Sequence, residues 1–258
     1  MANSAIRALL GTTIFVLGAQ LNGSVEAAEI KALITIGVQS AIEDLAPQFE
    51  RATGHKVVTV FGLSAALSKR VADGEPTDVF IGTREGVNGL IQAGTISAGS
   101  DATLASSGMG VAVRAGTPKP DISTPDALKR TLLATRAIGY GNPAAGGASG
   151  VHFAKIIERL GIVEQMKAKT KYPSPGTFAG SMLVSGEVDL AAQQIPELIF
   201  VKGVEVVGPL PGDLQATTVF AAGIPVRGKE ANAARALITF LQSPEAVVVY
   251  KAKGFDPR

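Results

Sequence analysis

The sequence predicts an α/β fold built as two lobes. Short apolar runs alternate with amphipathic helical stretches from about residue 28 onward. The alternation comes in two units, and the second opens on an extended "GMGVAVRAG" (108–116) and the Pro-rich connection "TPKPDISTP" (117–125). There is no internal repeat or low-complexity segment to suggest a solenoid or a disordered chain. Strand–helix alternation argues for a mostly parallel sheet covered by helices on both faces. In such sheets, ligands sit beyond the carboxyl ends of the strands.

In the first unit, "KALITIGV" (31–38) reads as a buried strand and leads into a helix from about Ser40 to Thr53. "KVVTVFG" (56–62) is the next strand, and "SAALSKRVADG" opens the second helix. "DVFIGT" (78–83) and "EGVNGLIQAG" complete a third strand–helix pair. The strand ends carry Ser40, Ser64 and Thr83.

In the second unit a helix (126–133) follows the Pro-rich connection, then a strand "RAIGYGN" (136–142) and a helix over 150–160. A further helix lies near 177–185, before the strands "VDLAAQQ" (188–194) and "VEVVGPLP" (204–211). "TTVFAAGIPV" (217–226) resembles the strands of the first unit and precedes two helices, "NAARALITFL" and "PEAVVVYKAKG". Two lobes joined by two crossings fit this order. Pattern alone does not place the C-terminal stretch.

The chain of 258 residues is long enough for a sizeable core. A net charge of +2, few aromatic residues and no Trp give no footprint for nucleic acid. The absence of cysteine excludes disulfides, thiol catalysis and cysteine metal sites, and having only His55 and His152 argues against a multi-histidine metal site. At the N-terminus, Arg7 precedes an apolar run from about Ala8 to Leu21, and Val25 and Ala27 stand at −3 and −1 of a cleavage site. This predicts a secretory signal over 1–27 and a mature protein that begins near Ala28 in the periplasm.

Four loops place small hydroxyl residues or glycines between a strand and a helix: "GVQSAIEDL", "FGLSAALSKR", "GGASGVHFAK" and "SPGTFAGSML". Each has two readings. A serine can cap its own helix. Alternatively, several helix starts converging on one cleft hold an anion through N–H and O–H donors, without lysine or arginine. Ser149 and Gly150 belong to the third loop, where glycines would let backbone approach a ligand. Arg84 is either a carboxylate clamp or a solvated arginine. Gln193 and Gln194 end a strand, so one should face the sheet and the other the cleft, as a donor or a structural amide. His152, in the first turn of its helix, is either packing or a proton carrier. Glu43 and Asp44 suit the dipole of the first helix. No nucleophile elbow, Walker loop, zincin signature or dinucleotide fingerprint occurs.

Across the mature chain, "IEDLAPQFERATGHKV", "SAALSKRVADGEPTDVFIGT", "YGNPAAGGASGVHFAKIIERLG", "EVDLAAQQIPEL" and "TFLQSPEAVVVYKAKGF" together resemble the periplasmic solute-binding proteins of the molybdate-binding type. The resemblance implies a type II periplasmic-binding-protein clamshell with two hinge crossings. The first lobe would comprise 28–112 plus 217–258, and the second 113–216. It also implies capture of a small anion, an oxyanion such as molybdate or a small carboxylate, for an ABC permease. No cofactor or metal is implied, and a monomer is expected. By this likeness the anion donors fall at Ser64, near Ser40, at Ser149 and near Phe178–Ala179. The family's tyrosine falls near Ala192–Gln193, where this chain has none, which leaves room for a larger or planar ligand. A branch of the family resembles aconitate isomerase. On that alternative reading His152 is the acid/base, Arg84 the carboxylate clamp, and Ser40, Ser64 and Ser149 the anion donors.

Overall fold

A computed structural model describes residues 27–174 and 176–257. All of the expected signal segment except Ala27 therefore lies outside the described residues. Lobe 1 begins with β1 (Glu29–Thr35), a 3-10 turn (Ile36–Val38) and α1 (Gln39–Thr53). β2 (Lys56–Gly62), α2 (Ser64–Ala72), β3 (Val79–Thr83) and α3 (Arg84–Gln92) follow. The long β4 (Ala102–Arg114) then runs into lobe 2. That lobe contains α4 (Pro125–Ala134), β5 (Ile138–Tyr140), α5 (Ala148–Arg159), α6 (Val163–Lys167), β6 (Thr170–Lys171) and α7 (Ala179–Val184). It continues with β7 (Leu190–Gln194), α8 (Ile195–Phe200) and β8 (Val204–Pro209). β9 (Thr217–Gly223) brings the chain back to lobe 1, which α9 (Ala231–Phe240), α10 (Pro244–Ala252) and β10 (Asp256–Pro257) complete.

Alternation along the strands decides which helix each residue meets. In β1, Ile30, Ala32 and Ile34 join one core with Val38, Phe49, Leu237 and Tyr250, while Leu33 joins the other with Leu67, Phe80 and Leu90. In lobe 2, Met109, Val111 and Val113 of β4 pack with Phe153 and Leu128, while Ala112 faces Met182 and Leu198. Each lobe is thus a sheet with a buried core on both faces, which is why its strands read as near-continuous apolar runs. Among the described residues no helix is long and apolar enough to cross a membrane.

The sheet is mixed, which corrects the expectation of a mostly parallel one. β1 pairs in parallel with β2 and β3, and β5 with β6 and β7. The crossing strands are antiparallel to their neighbours: β9 to β3, and β4 to β7, β8, β9 and β10. Parallel strands need a crossover on one face. β4 leaves lobe 1 and β9 re-enters it, so the two run in opposite senses.

Pairing changes hands within β4. Gly108 still opposes Thr217 of β9, whereas Met109 opposes Gln194 of β7. The expected lobe boundary at 112 lies farther along the same strand. At the handover the Gln215 side chain stands in for a strand: its Nε2 donates to Met109 O at 2.8 Å and its Oε1 accepts from Met109 N at 2.9 Å. Gln194 clasps both crossings, with Oε1 accepting from Ser107 Oγ and Nε2 donating to Thr218 Oγ1 at 2.8 Å.

Candidate ligand-binding site

The carboxyl ends of β1, β2, β3, β5 and β7 meet at a cavity of about 380 Å³ walled by both lobes. Lobe 1 contributes Thr35, Gly37, Phe61, Leu63, Ser64, Thr83 and Phe220. Lobe 2 contributes Asn142, Gly147, Ala148, Ser149, Ser174, Thr177, Gln193, Gln194 and Glu197. A larger open groove of about 750 Å³ lies at the opposite, amino ends of β5 and β7, where Arg136 and Asp189 pair with each other at 2.8 Å. Only the first cavity combines strand carboxyl ends with walls from two lobes, the usual position of a ligand in this kind of sheet.

Of the residues expected from sequence, Ser64, Thr83, Ser149 and Gln193 come together on this lining. Ser64 and Ser149 sit inside α2 and α5 at the first and second helical positions, so neither caps its own helix. Both helices lack a side-chain cap, which leaves their first N–H groups without one. Ser64 Oγ accepts from Thr83 N at 3.0 Å, and Thr83 Oγ1 accepts from Gly86 N at 3.2 Å. Because backbone N–H groups occupy acceptor positions, the hydroxyl protons are left to donate. Ser149 is buried on the same lining.

Gln193 is oriented from behind. Its Oε1 accepts the N–H of Ala179, at the start of α7, at 2.7 Å. The amide nitrogen, with its two protons, is then the end left for the cavity. A backbone donor near Phe178–Ala179 is therefore relayed through a side chain.

The other expected residues lie off the lining. Arg84 is held by Asp101, with Nη1 donating to Oδ2 at 2.6 Å, and by Thr103 Oγ1. Ser40 is buried in the first turn of α1. Phe178 packs edge-on against Phe200. The ring of His152 has Nε2 2.8 Å from Leu214 O, on the chain that returns toward β9. Gly150 is a close-contact point: a Cβ there would lie 2.1 Å from Gly141 O, so the first turn of α5 rests directly on the backbone after β5.

Sequence reasoning missed Thr35, Asn142, Thr177 and Glu197. Glu197 is 6% exposed and is the only acid or base side chain on the lining among the described residues. Its Oε2 accepts from Gln194 N at 3.3 Å. Burial pushes its carboxyl up to about 7, and the single N–H bond only partly opposes this. The spacing "QIPE" after an apolar strand was the available signal, because a Glu three residues past a helix cap reaches back to the cap's N–H.

The lining can hold an anion through neutral hydroxyl, amide and backbone donors. Comparison with known proteins agrees with this architecture. An aconitate isomerase from Pseudomonas sp is 32% identical over 227 residues, covering 86% of this chain and 85% of its own. The molybdate-binding protein ModA of Azotobacter vinelandii is 28% identical over 252 residues, covering 95% and 97%. The solved periplasmic molybdate-binding protein of the same organism superposes with a TM-score of 0.73 at 24% identity, over 88% of this chain and 98% of that one. The model of the family described as bacterial extracellular solute-binding protein matches residues 30–256, and the chain belongs to that family.

Proposed function

We propose that the protein is a secreted receptor whose two lobes close on a small anion and present it to an ABC importer. The observation that carries this reading is the chemistry of the lining: Thr35, Ser64, Thr83, Ser149 and Gln193 supply uncharged donors, with no Lys, Arg or His among the described lining residues. Each hydrogen bond to a charged ligand contributes about 1.5–3 kcal/mol net. Four or five of them reach micromolar binding after the cost of association. The cavity of about 380 Å³ exceeds what a tetrahedral oxyanion fills, on the order of two or three water volumes of ~30 Å³ each. With no tyrosine near Ala192–Gln193, where the family resemblance implies one, this favours a small organic carboxylate.

The test is a thermal-shift screen of mature protein with molybdate, tungstate, sulfate, citrate and both aconitates, followed by calorimetry. A ligand that binds the native state raises its melting temperature. No shift with any of these anions would sink the reading.

A second reading, isomerisation of cis- and trans-aconitate, is favoured by the 32% identical relative and by the one acid side chain in the cavity. An allylic proton shift needs a base and a stabilised carbanion. Glu197 is placed to be that base, and the hydroxyl donors to hold the carboxylates. Turnover of cis-aconitate that disappears in Glu197→Gln and survives in His152→Ala supports this reading. Absence of turnover in the wild type removes it.

A further inference from the structure

Neutral donors alone would make an anion site indifferent to pH, and Glu197 breaks that indifference. It stands at the third position of α8 and belongs to the cavity lining. One carboxyl oxygen is fixed by Gln194 N–H, and the other has no hydrogen-bond partner among the described residues. An ionised Glu197 would repel a bound anion at close range in a poorly solvated cleft, with no cation among the described lining residues to offset it. A protonated one would instead donate a hydrogen bond to the ligand.

The charged groups on elements packed against α8 do not relieve this conflict. β7, α7 and the 3-10 turn at Ile36–Val38 carry none. On α1, Asp44 pairs with Lys253 at 2.7 Å, Glu43 accepts from Gln39 at 2.7 Å, Glu50 accepts from Val57 N at 2.8 Å, and Arg51 is exposed. Glu205 of β8 pairs with Lys119 at 2.8 Å, and Arg114 ends β4 exposed to solvent. None of these charges perturbs the Glu197 carboxyl, whose proton affinity is set by burial and one backbone N–H.

We propose that anion capture is coupled to uptake of one proton on Glu197, which then donates through its free oxygen to the ligand and returns the proton to solvent when the ligand leaves. The proposal rests on the anion-receptor reading. It makes the site a proton–anion co-binder in which Glu197 tunes affinity rather than supplying charge.

The probes are molybdate and trans-aconitate, titrated calorimetrically into wild-type protein from pH 6 to 9 in buffers of differing ionisation enthalpy. The expected result is uptake of close to one proton per anion at pH 8. Affinity should fall about tenfold per pH unit above the point where the empty-cleft carboxyl ionises. Glu197→Gln keeps an acceptor for Gln194 N–H and a donor for the ligand. It should lose both the proton uptake and the fall in affinity with rising pH. Wild-type binding that is flat from pH 6 to 9 with no proton uptake would overturn the coupling and leave the receptor reading standing. Failure of both anions to bind even at pH 6, where the carboxyl is protonated, would overturn both together.

Discussion

Substituting Gly150 tests whether α5 is seated on the backbone of the preceding strand. In Gly150→Ala the new Cβ would lie 2.1 Å from Gly141 O, against an ordinary C···O approach of about 3.3 Å. Relief needs a displacement of roughly 1 Å, and the opposing atom is main chain, which cannot rotate aside. Overpacking of this severity costs up to about 3 kcal/mol, while the better helix propensity of alanine returns about 1 kcal/mol. The net loss is about 2 kcal/mol, a fall in melting temperature of about 4–8 °C for a chain of this size. The same shift carries Ala148 and Ser149 off the cavity wall, so anion affinity should drop at least tenfold, about one charge-assisted hydrogen bond. Gly147→Ala is the matched control: its φ is −71° and its Cβ meets Leu63 at 3.4 Å, an ordinary contact, so it should cost under about 1 kcal/mol. Differential scanning calorimetry of the three proteins decides the matter. If Gly150→Ala melts within a degree of the parent, the seat on Gly141 is not real.

Other substitutions probe separate parts of the molecule. Ser64→Ala removes both the acceptor for Thr83 N–H and a cavity donor; anion affinity should fall about 10- to 100-fold by calorimetry, and an unchanged value would take Ser64 out of the site. Tyr250→Phe deletes a buried hydroxyl that has no hydrogen-bond partner among the described residues, so the variant should melt at or above the parent temperature; a clear drop would mean that the hydroxyl is satisfied after all. Gln215→Ala strands the N–H and C=O of Met109 at the crossing; urea unfolding should show a loss of about 1–3 kcal/mol, and a neutral result would refute the bridging role. The carboxyl of Glu197 is raised from 4.5 to about 7, so the folded state holds its proton more tightly than the unfolded chain. That stability is fully present below about pH 4.5 and is lost as pH rises toward 7. Relative to wild type, Glu197→Gln should therefore gain on the order of 3 kcal/mol between pH 4.5 and 8; parallel stability curves would contradict the burial of this acid.

The first lobe was readable almost residue by residue, because β1, β2 and β3 are short apolar runs closed by a helix start, β1 and β3 largely buried and β2 at the sheet edge. The short α6 and α8 escaped, since five or six residues hold too few turns to show a period, and α8 begins "IPE" with its proline in the first turn. The sense of β4 and β9 was not legible either, because strand direction depends on which lobe each end belongs to and not on local pattern. At the site, the hydroxyls at strand ends could be picked out because every ligand-facing loop in this topology starts there. Arg84 and His152 looked equally available, but their partners are Asp101, 17 residues away, and Leu214, 62 residues away. Sequence shows a polar group and hides what already occupies it.

Gln193 and Gln194 are consecutive residues with separate duties, one aimed by Ala179 at the cavity and one clasping Ser107 and Thr218. Because successive strand residues face opposite sides, a slip of one position in β7 would exchange the two amides. On the anion-receptor proposal, ligand preference should respond to the side chain at 193 and not tolerate a change in the length of the strand that carries it. Insertions and deletions that alter specificity in relatives of this protein should accumulate in the segment before α7 and stop short of β7. The strand works as a fixed ruler, and only its markings are open to selection.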